Sequence, residues 1–360
     1  MTGFVPPPYP YERLDEIAAI ADKHDGGAVD LSIGTPCDPP PPEVVAELSR
    51  GETSRGYPSS VGTPALRAAA ARWISRRLGA EVDPADELAA CVGSKEFVAS
   101  VPQYLRLRDP GRDTVLYPQV SYPTYEMGAI LAGCRAVPYA DLADIADADA
   151  ERALCVWVNS PSNPTGELLD LAAAARWGRA RGVPVLSDEC YAEFTYARPP
   201  TTILREGTSG VIAVHSLSKR DNFAGARIGF YAGDAELVGY LREVRKHAGL
   251  MPSGPVQAAA VVALDDDAHV EAQRQRYLAR LRTLRDVLAA CGYPAELPAG
   301  AFYLWVACAG GEAWEAARDL ARRVGIVVSP GEFYGPAAAD HIRLAAVAPD
   351  DRIALVASRV

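Results

Sequence analysis

Between residues 88 and 232 the chain alternates short apolar runs with longer stretches of helical spacing, and that rhythm restricts its fold more than any other feature. Runs at 88–92, 114–117, 135–139, 154–158, 184–187, 210–215 and 228–232 have strand length, while 95–107, 122–132 and 171–181 place apolar residues three and four apart, as helices do. Such alternation predicts an α/β fold: a mostly parallel sheet with helices on both faces. Helical pattern then dominates through 237–247, 255–264 and 270–288. A closing region, with strands at 301–306, 326–329 and 341–345 and helices at 312–324 and 350–360, reads as a smaller α+β domain. The expected organisation is an N-terminal arm and segment over 1–45 that packs with the small domain, a large domain over 46–250 and a small C-terminal domain over 251–360.

Local signals fill in the beginning. Pro6, Pro7, Pro8 and Pro10 exclude a helix, so the first residues form an extended arm whose Phe4, Tyr9 and Tyr11 have to pack on something. Spacing predicts a helix over 12–23 and a short strand over 29–34. Thr63-Pro64 supplies an N-cap and a first helical residue, and that helix should stop at Gly79.

With 360 residues the chain can bury a core in about two domains. A formal net charge of −10 argues against nucleic acid or an anionic membrane as the main partner. The 7 cysteines are scattered without a CxxC pair, which reads as reduced thiols and not as a disulfide framework or a zinc site. No apolar run nears the roughly 18 residues of a membrane span, and the start lacks a signal peptide's basic and then apolar pattern. The cytoplasm is the expected location.

In an open parallel sheet, ligand-binding groups gather beyond the carboxyl ends of the strands. The run at 88–92 leads to Gly93-Ser94-Lys95-Glu96, a glycine turn opening a helix, which suits a phosphate and equally an ordinary capped helix. The next leads to Ser121-Tyr122-Pro123-Thr124-Tyr125, an aromatic able to lie on a planar ring or to pack in a turn. After 154–158 a rigid turn presents Asn163 before Pro164, for a ligand or for turn chemistry alone. Asp188-Glu189-Cys190-Tyr191 puts a carboxylate after a buried strand, where it requires a protonated ring nitrogen, a helix cap or an arginine. Last comes Ser216-Leu217-Ser218-Lys219, with Arg227 close behind. Such a tetrapeptide is common in isolation, but a lysine so placed suits Schiff-base chemistry with a carbonyl compound, and Ser216, Ser218 and Arg227 offer donors to a phosphate. Groups of fitting type at five successive strand ends argue for one site.

Carrying Asn163-Pro164-Thr165-Gly166, Asp188 with Tyr191, Ser216-x-Ser218-Lys219 and Arg227 in this order, the sequence resembles the fold-type-I pyridoxal-phosphate aminotransferases of class I/II over nearly its whole length. The resemblance implies that fold, pyridoxal 5'-phosphate as cofactor, no metal, and exchange of an amino group between an amino acid and a 2-oxo acid. It implies that Lys219 holds the cofactor and later moves the substrate proton, that Asp188 faces the ring nitrogen, and that Asn163 and Tyr191 bond the ring's phenolic oxygen. Tyr122 would stack on the ring. Gly93, Ser94, Lys95, Ser216, Ser218 and Arg227 would cradle the phosphate, with Tyr57 reaching it across a homodimer interface. Gly34, Asn163 and Arg343 would meet the substrate, Arg343 as a bidentate grip on its α-carboxylate.

Stretches at 29–36, 93–96, 121–126, 241–251 and 330–336 are similar to one branch, the actinobacterial-type N-succinyl-diaminopimelate aminotransferases of lysine biosynthesis. The implied reaction joins glutamate/2-oxoglutarate to N-succinyl-L,L-diaminopimelate. Asp221, Phe223 and Ala226, where that branch carries Ser, Leu and Tyr, and the proline-rich arm depart from it, and any change of substrate is expected to begin there. The alternatives are a specialised-pathway aminotransferase for another basic or dicarboxylic amino acid, or a lyase or decarboxylase on the same fold.

Overall fold

A computed structural model describes residues 4–7, 9–50 and 54–360; Pro8 of the expected arm lies outside them. Strand β1 (Val29–Asp30) is followed by β2 (Leu88–Cys91), β3 (Thr114–Pro118), β4 (Arg135–Tyr139), β5 (Ala153–Asn159), β6 (Val185–Asp188), β7 (Val211–Ser216) and β8 (Gly229–Gly233), and then by β9 (Tyr303–Ala307), β10 (Ile326–Val327), β11 (Ser329–Pro330) and β12 (His341–Ala345). β2 to β8 make one seven-stranded sheet in the order β2-β8-β7-β6-β5-β3-β4. β8 runs antiparallel to both its neighbours and the remaining pairs are parallel. Every apolar run of the central alternation therefore became a strand of one mostly parallel sheet.

Burial explains why those runs are continuous. All residues of β5 are buried, as they must be in a sheet covered on both faces. Alternate residues still go to opposite cores: Val156 and Val158 join Trp73, Ala213 and Phe230 on one side, while Cys155 and Trp157 join Phe97, Tyr125, Ile212 and Tyr231 on the other. Each large side chain so buried contributes about 1.5–3 kcal/mol. The helix Pro64–Trp73 starts where its N-cap predicts, Thr63 Oγ1 accepting from the Leu66 amide at 3.2 Å, and its continuation Ile74–Leu78 stops at Gly79, whose φ of 69° suits glycine.

The chain divides into two compact units, a small one of 1–37, 276–298 and 302–360 and a large one of 38–275 and 299–301. This corrects the expected boundaries at 45 and 250. Helix Gly254–Asp265 packs on Pro42–Arg50 and Pro64–Trp73 of the large unit, and the break falls inside the continuous helix Ala268–Ala290, where no sequence signal marks it. In the small unit β1 pairs with β10 in parallel, and β11, β12 and β9 form an antiparallel sheet in that order. The single strand expected over 326–329 is thus two, one in each sheet. Likewise, the expected helix over 12–23 is a 3-10 turn, Pro10–Leu14, followed by the helix Asp15–Ala21.

The large unit buries a titratable pair beneath the sheet's carboxyl edge. His215 Nε2 lies 3.5 Å from Glu189 Oε2. Burial pushes the Glu189 carboxyl from 4.5 up to about 7 and the His215 imidazole from 6.5 down to about 3. Between about pH 4.5 and 6.5 the folded chain keeps a proton on Glu189 and the unfolded chain keeps one on His215, so the two linkages oppose each other. Removing the imidazole leaves only the glutamate linkage, which loses stability as pH rises. Measured by denaturant unfolding, the stability of His215→Phe relative to the parent chain should fall as pH is raised from 4 to 6.5, by up to about 1.4 kcal/mol per pH unit.

Candidate active site

Strand register assembles the edge of the large sheet. Asn159, last in β5, sits beside Asp188, last in β6, and Asp188 sits beside Val214 of β7, two residues before Ser216. The Asn159 side chain ties the turn that follows, donating to the Asp188 carbonyl at 2.8 Å and accepting from the Asn163 amide at 2.7 Å. β7 runs into the short helix Leu217–Arg220, capped by Ser216, whose Oγ accepts from the Ser218 amide at 3.1 Å. Lys219 is the third residue of that helix and is half-buried, while Ser218 and Tyr191 are buried.

Asp188 is the electrostatic centre of this edge. Tyr125 Oη donates to Oδ2 at 2.9 Å and the Cys190 amide donates to Oδ1 at 3.2 Å. Burial and the Asp188 carboxylate together raise the Cys190 thiol well above its ordinary value, which keeps it neutral beside that carboxylate. Burial raises the Asp188 carboxyl above its ordinary value, and the Cys190 and Tyr125 donors pull it back. All these donors are neutral, and Asp188 forms no ion pair among the described residues. A buried carboxylate left in that condition suits a cationic ring nitrogen.

A second cradle lies at Gly93. Its φ is +81°, in the left-handed region that favours glycine, and a Cβ there would meet the Arg227 guanidinium, which lies against the N-terminus of the helix Ser94–Arg108. A guanidinium and the amides of a helix start are fitting donors for a phosphate, as are the hydroxyls of Ser216 and Ser218 where β7 runs into its short helix. Lys95 is exposed on the first turn of that helix. Tyr122 is half-buried and edge-on to Tyr125 at 6.1 Å, and Tyr57 is 99% exposed. Gly34 and Arg343 belong to the small unit. There, Gly34 leaves room for Tyr303, whose hydroxyl a Cβ would meet, and Arg343 is buried, its Nη2 donating to the Ser32 carbonyl at 2.5 Å.

Two outcomes differ from the sequence reading. Tyr125, in direct contact with Asp188, was visible only as a second aromatic after Tyr122; its spacing of three on a helix start was the available signal. The departures near Lys219 serve packing: Asp221 is fully buried between Arg220 and His269, with His269 Nε2 at 2.8 Å, Phe223 is buried in the apolar core, and Ala226 packs against that core.

A lysine, a buried carboxylate with neutral donors and a guanidinium at a helix start lie along one sheet edge, a set that suits a phosphorylated ring cofactor. The chain belongs to the aminotransferase class I and II family, whose model matches residues 27–360, and it is a pyridoxal 5'-phosphate-dependent aminotransferase. It is 43% identical to the 4-dedimethylamino-4-oxo-anhydrotetracycline transaminase OxyQ of Streptomyces rimosus, over 98% of this chain and 99% of that one. It is 34% identical to the LL-diaminopimelate aminotransferase of Desulforudis audaxviator, over 96% and 93% of the two chains. An aminotransferase structure from Neisseria meningitidis superposes with a TM-score of 0.89 at 30% identity, covering 98% of this chain and 96% of that one.

Tyr125→Phe keeps the ring on Trp157, its stacking partner at 5.3 Å, and removes only the donor to Asp188. It should weaken cofactor binding about five-fold when the apo-protein is titrated with pyridoxal phosphate and the visible band is followed. Asp221→Ser removes the nearest of three carboxylates around buried Arg220, Glu193 and Asp267 remaining at 3.4 Å, and should cost about 2 kcal/mol in chemical denaturation, with the amino-donor preference unchanged.

Proposed function

We propose that the protein moves an amino group between glutamate/2-oxoglutarate and a second amino acid or 2-oxo acid whose α-carboxylate is taken by Arg343. The observation that carries this reading is Arg343 itself, a buried guanidinium held against the rings of Tyr303 and Tyr334, a setting that suits a bidentate carboxylate grip. Pyridoxal phosphate, when bound, supplies a carbonyl that accepts the amine and a ring that withdraws electrons from the reacting carbon. In this reading Lys219 holds the group and its freed amine carries the proton to and from the substrate α-carbon. Asp188 stays anionic to hold the ring nitrogen's proton, and Asn163 and Tyr191 donate to the ring oxygen. Tyr122 covers the ring face. Ser94, Lys95, Ser216, Ser218 and Arg227 fix the phosphate, Gly93 making room for Arg227, with Tyr57 of a second copy in a homodimer adding to them. Asn163 and Gly34 border the substrate.

N-succinyl-L,L-diaminopimelate is the proposed second substrate, supported by the stretches shared with that branch and by the relative named for LL-diaminopimelate. A specialised-pathway ketone is the second reading, favoured by the 43% identity to the transaminase named for an oxo-anhydrotetracycline. Purified protein mixed with N-succinyl-diaminopimelate and 2-oxoglutarate should release glutamate. No glutamate, together with amination of a ring ketone by glutamate, selects the second reading. Lys219→Ala should abolish both exchanges and the visible absorption of the purified protein.

A further inference from the structure

We propose that Tyr11 of the N-terminal arm is a second carboxylate-binding group, donating its phenol proton to the substrate carboxylate beside Arg343; this rests on the reading that Arg343 takes that carboxylate. All the residues concerned lie in the small unit. The Arg343 guanidinium carbon is 4.2 Å from the Tyr303 ring centroid and 4.6 Å from that of Tyr334. Cation–π packing holds the guanidinium by its faces, and its N–H donors point to oxygen acceptors in its plane. Nη2 points at two such oxygens, the Ser32 carbonyl at 2.5 Å and the Tyr11 hydroxyl at 3.4 Å.

The Tyr11 hydroxyl is therefore an acceptor from the guanidinium, and its own proton is left to give. Its other polar neighbour is the Tyr334 hydroxyl at 3.2 Å, a group that can serve as acceptor or donor. A carboxylate arriving at Arg343 is a stronger acceptor than a phenol, so the Tyr11 proton turns to it. The tyrosine thereby adds a neutral donor to a cationic one, which strengthens carboxylate recognition without adding charge.

The arm is fastened so that this hydroxyl stays in place. Tyr11 packs edge-on to Phe333 at 5.5 Å and 69°. Two residues on, Arg13 lies over the Trp314 ring at 4.8 Å and pairs with Glu332 at 2.7 Å. Phe333 and Glu332 belong to the turn Gly331–Tyr334, which also carries the Tyr334 ring against Arg343. One short turn thus anchors the arm and flanks the guanidinium. The arm is also where the sequence leaves the branch it otherwise resembles, and Tyr11 gives that stretch a direct line to the substrate.

The test uses the holoenzyme and its Tyr11→Phe and Arg343→Lys variants. Tyr11→Phe keeps the ring on Phe333, so thermal unfolding should be unchanged. KM for the amino acid and for the 2-oxo acid should each rise about five-fold with kcat little altered, and the dissociation constant of glutarate, a carboxylate that cannot react, should rise equally when read from the cofactor band. An acceptor without a carboxylate should show no change in KM. If Arg343→Lys raises these constants and Tyr11→Phe does not, the role given to Tyr11 is overturned. Should Arg343→Lys also leave them unchanged, the reading of Arg343 fails as well.

Discussion

A carboxylate at the end of a buried strand is expensive to keep, and the large unit is arranged around keeping one. Asp188 has lost most of its water and is offered only neutral donors, the Tyr125 phenol and the Cys190 amide. Those bonds fix both oxygens but leave the charge unanswered. The surroundings of Asp188 are fixed as well: stacking on Trp157 orients Tyr125, and Gly93 opens the helix start that faces Arg227. A ligand with a cationic ring nitrogen and an anionic phosphate answers both deficits together. The fold's electrostatics are in this sense incomplete in the direction that the family's cofactor supplies.

The sheet was legible because its inner strands are buried on both faces and so write themselves as unbroken apolar runs, β5 and β7 being the clearest cases, while the edge strand β4 is partly exposed. Cofactor candidates were legible because the topology of parallel sheets puts ligand groups at strand ends, and Asn163, Asp188 and Lys219 follow such ends. Tyr125 was not, since a buried phenol facing a carboxylate leaves the same trace as one in a core. The unit boundary was hidden for another reason. A helix that spans two units has one uninterrupted pattern, and what separates Gln275 from Arg276 is tertiary contact.

Arg343 shows a different way of holding a charge. Aromatic rings and a backbone carbonyl support it, so its donors are oriented by neutral neighbours. Asp188 and Arg343 are thus matched opposites, each buried and each supported by neutral groups. Charge of either sign held this way favours a ligand of the other sign over water, because the supporting groups already occupy the orientations that solvent would have to find.

Asp221 carries a historical consequence. A buried carboxyl can enter that position only in a chain that already holds Arg220 and His269, since without them it would stand as an isolated charge. Once present, it is the nearest of three carboxylates around Arg220, with Glu193 and Asp267 at 3.4 Å, and the partner of His269. The order of substitutions beside Lys219 is therefore directional: the carboxyl is tolerated only once its cations are in place, and removing it takes from both of them their nearest acceptor.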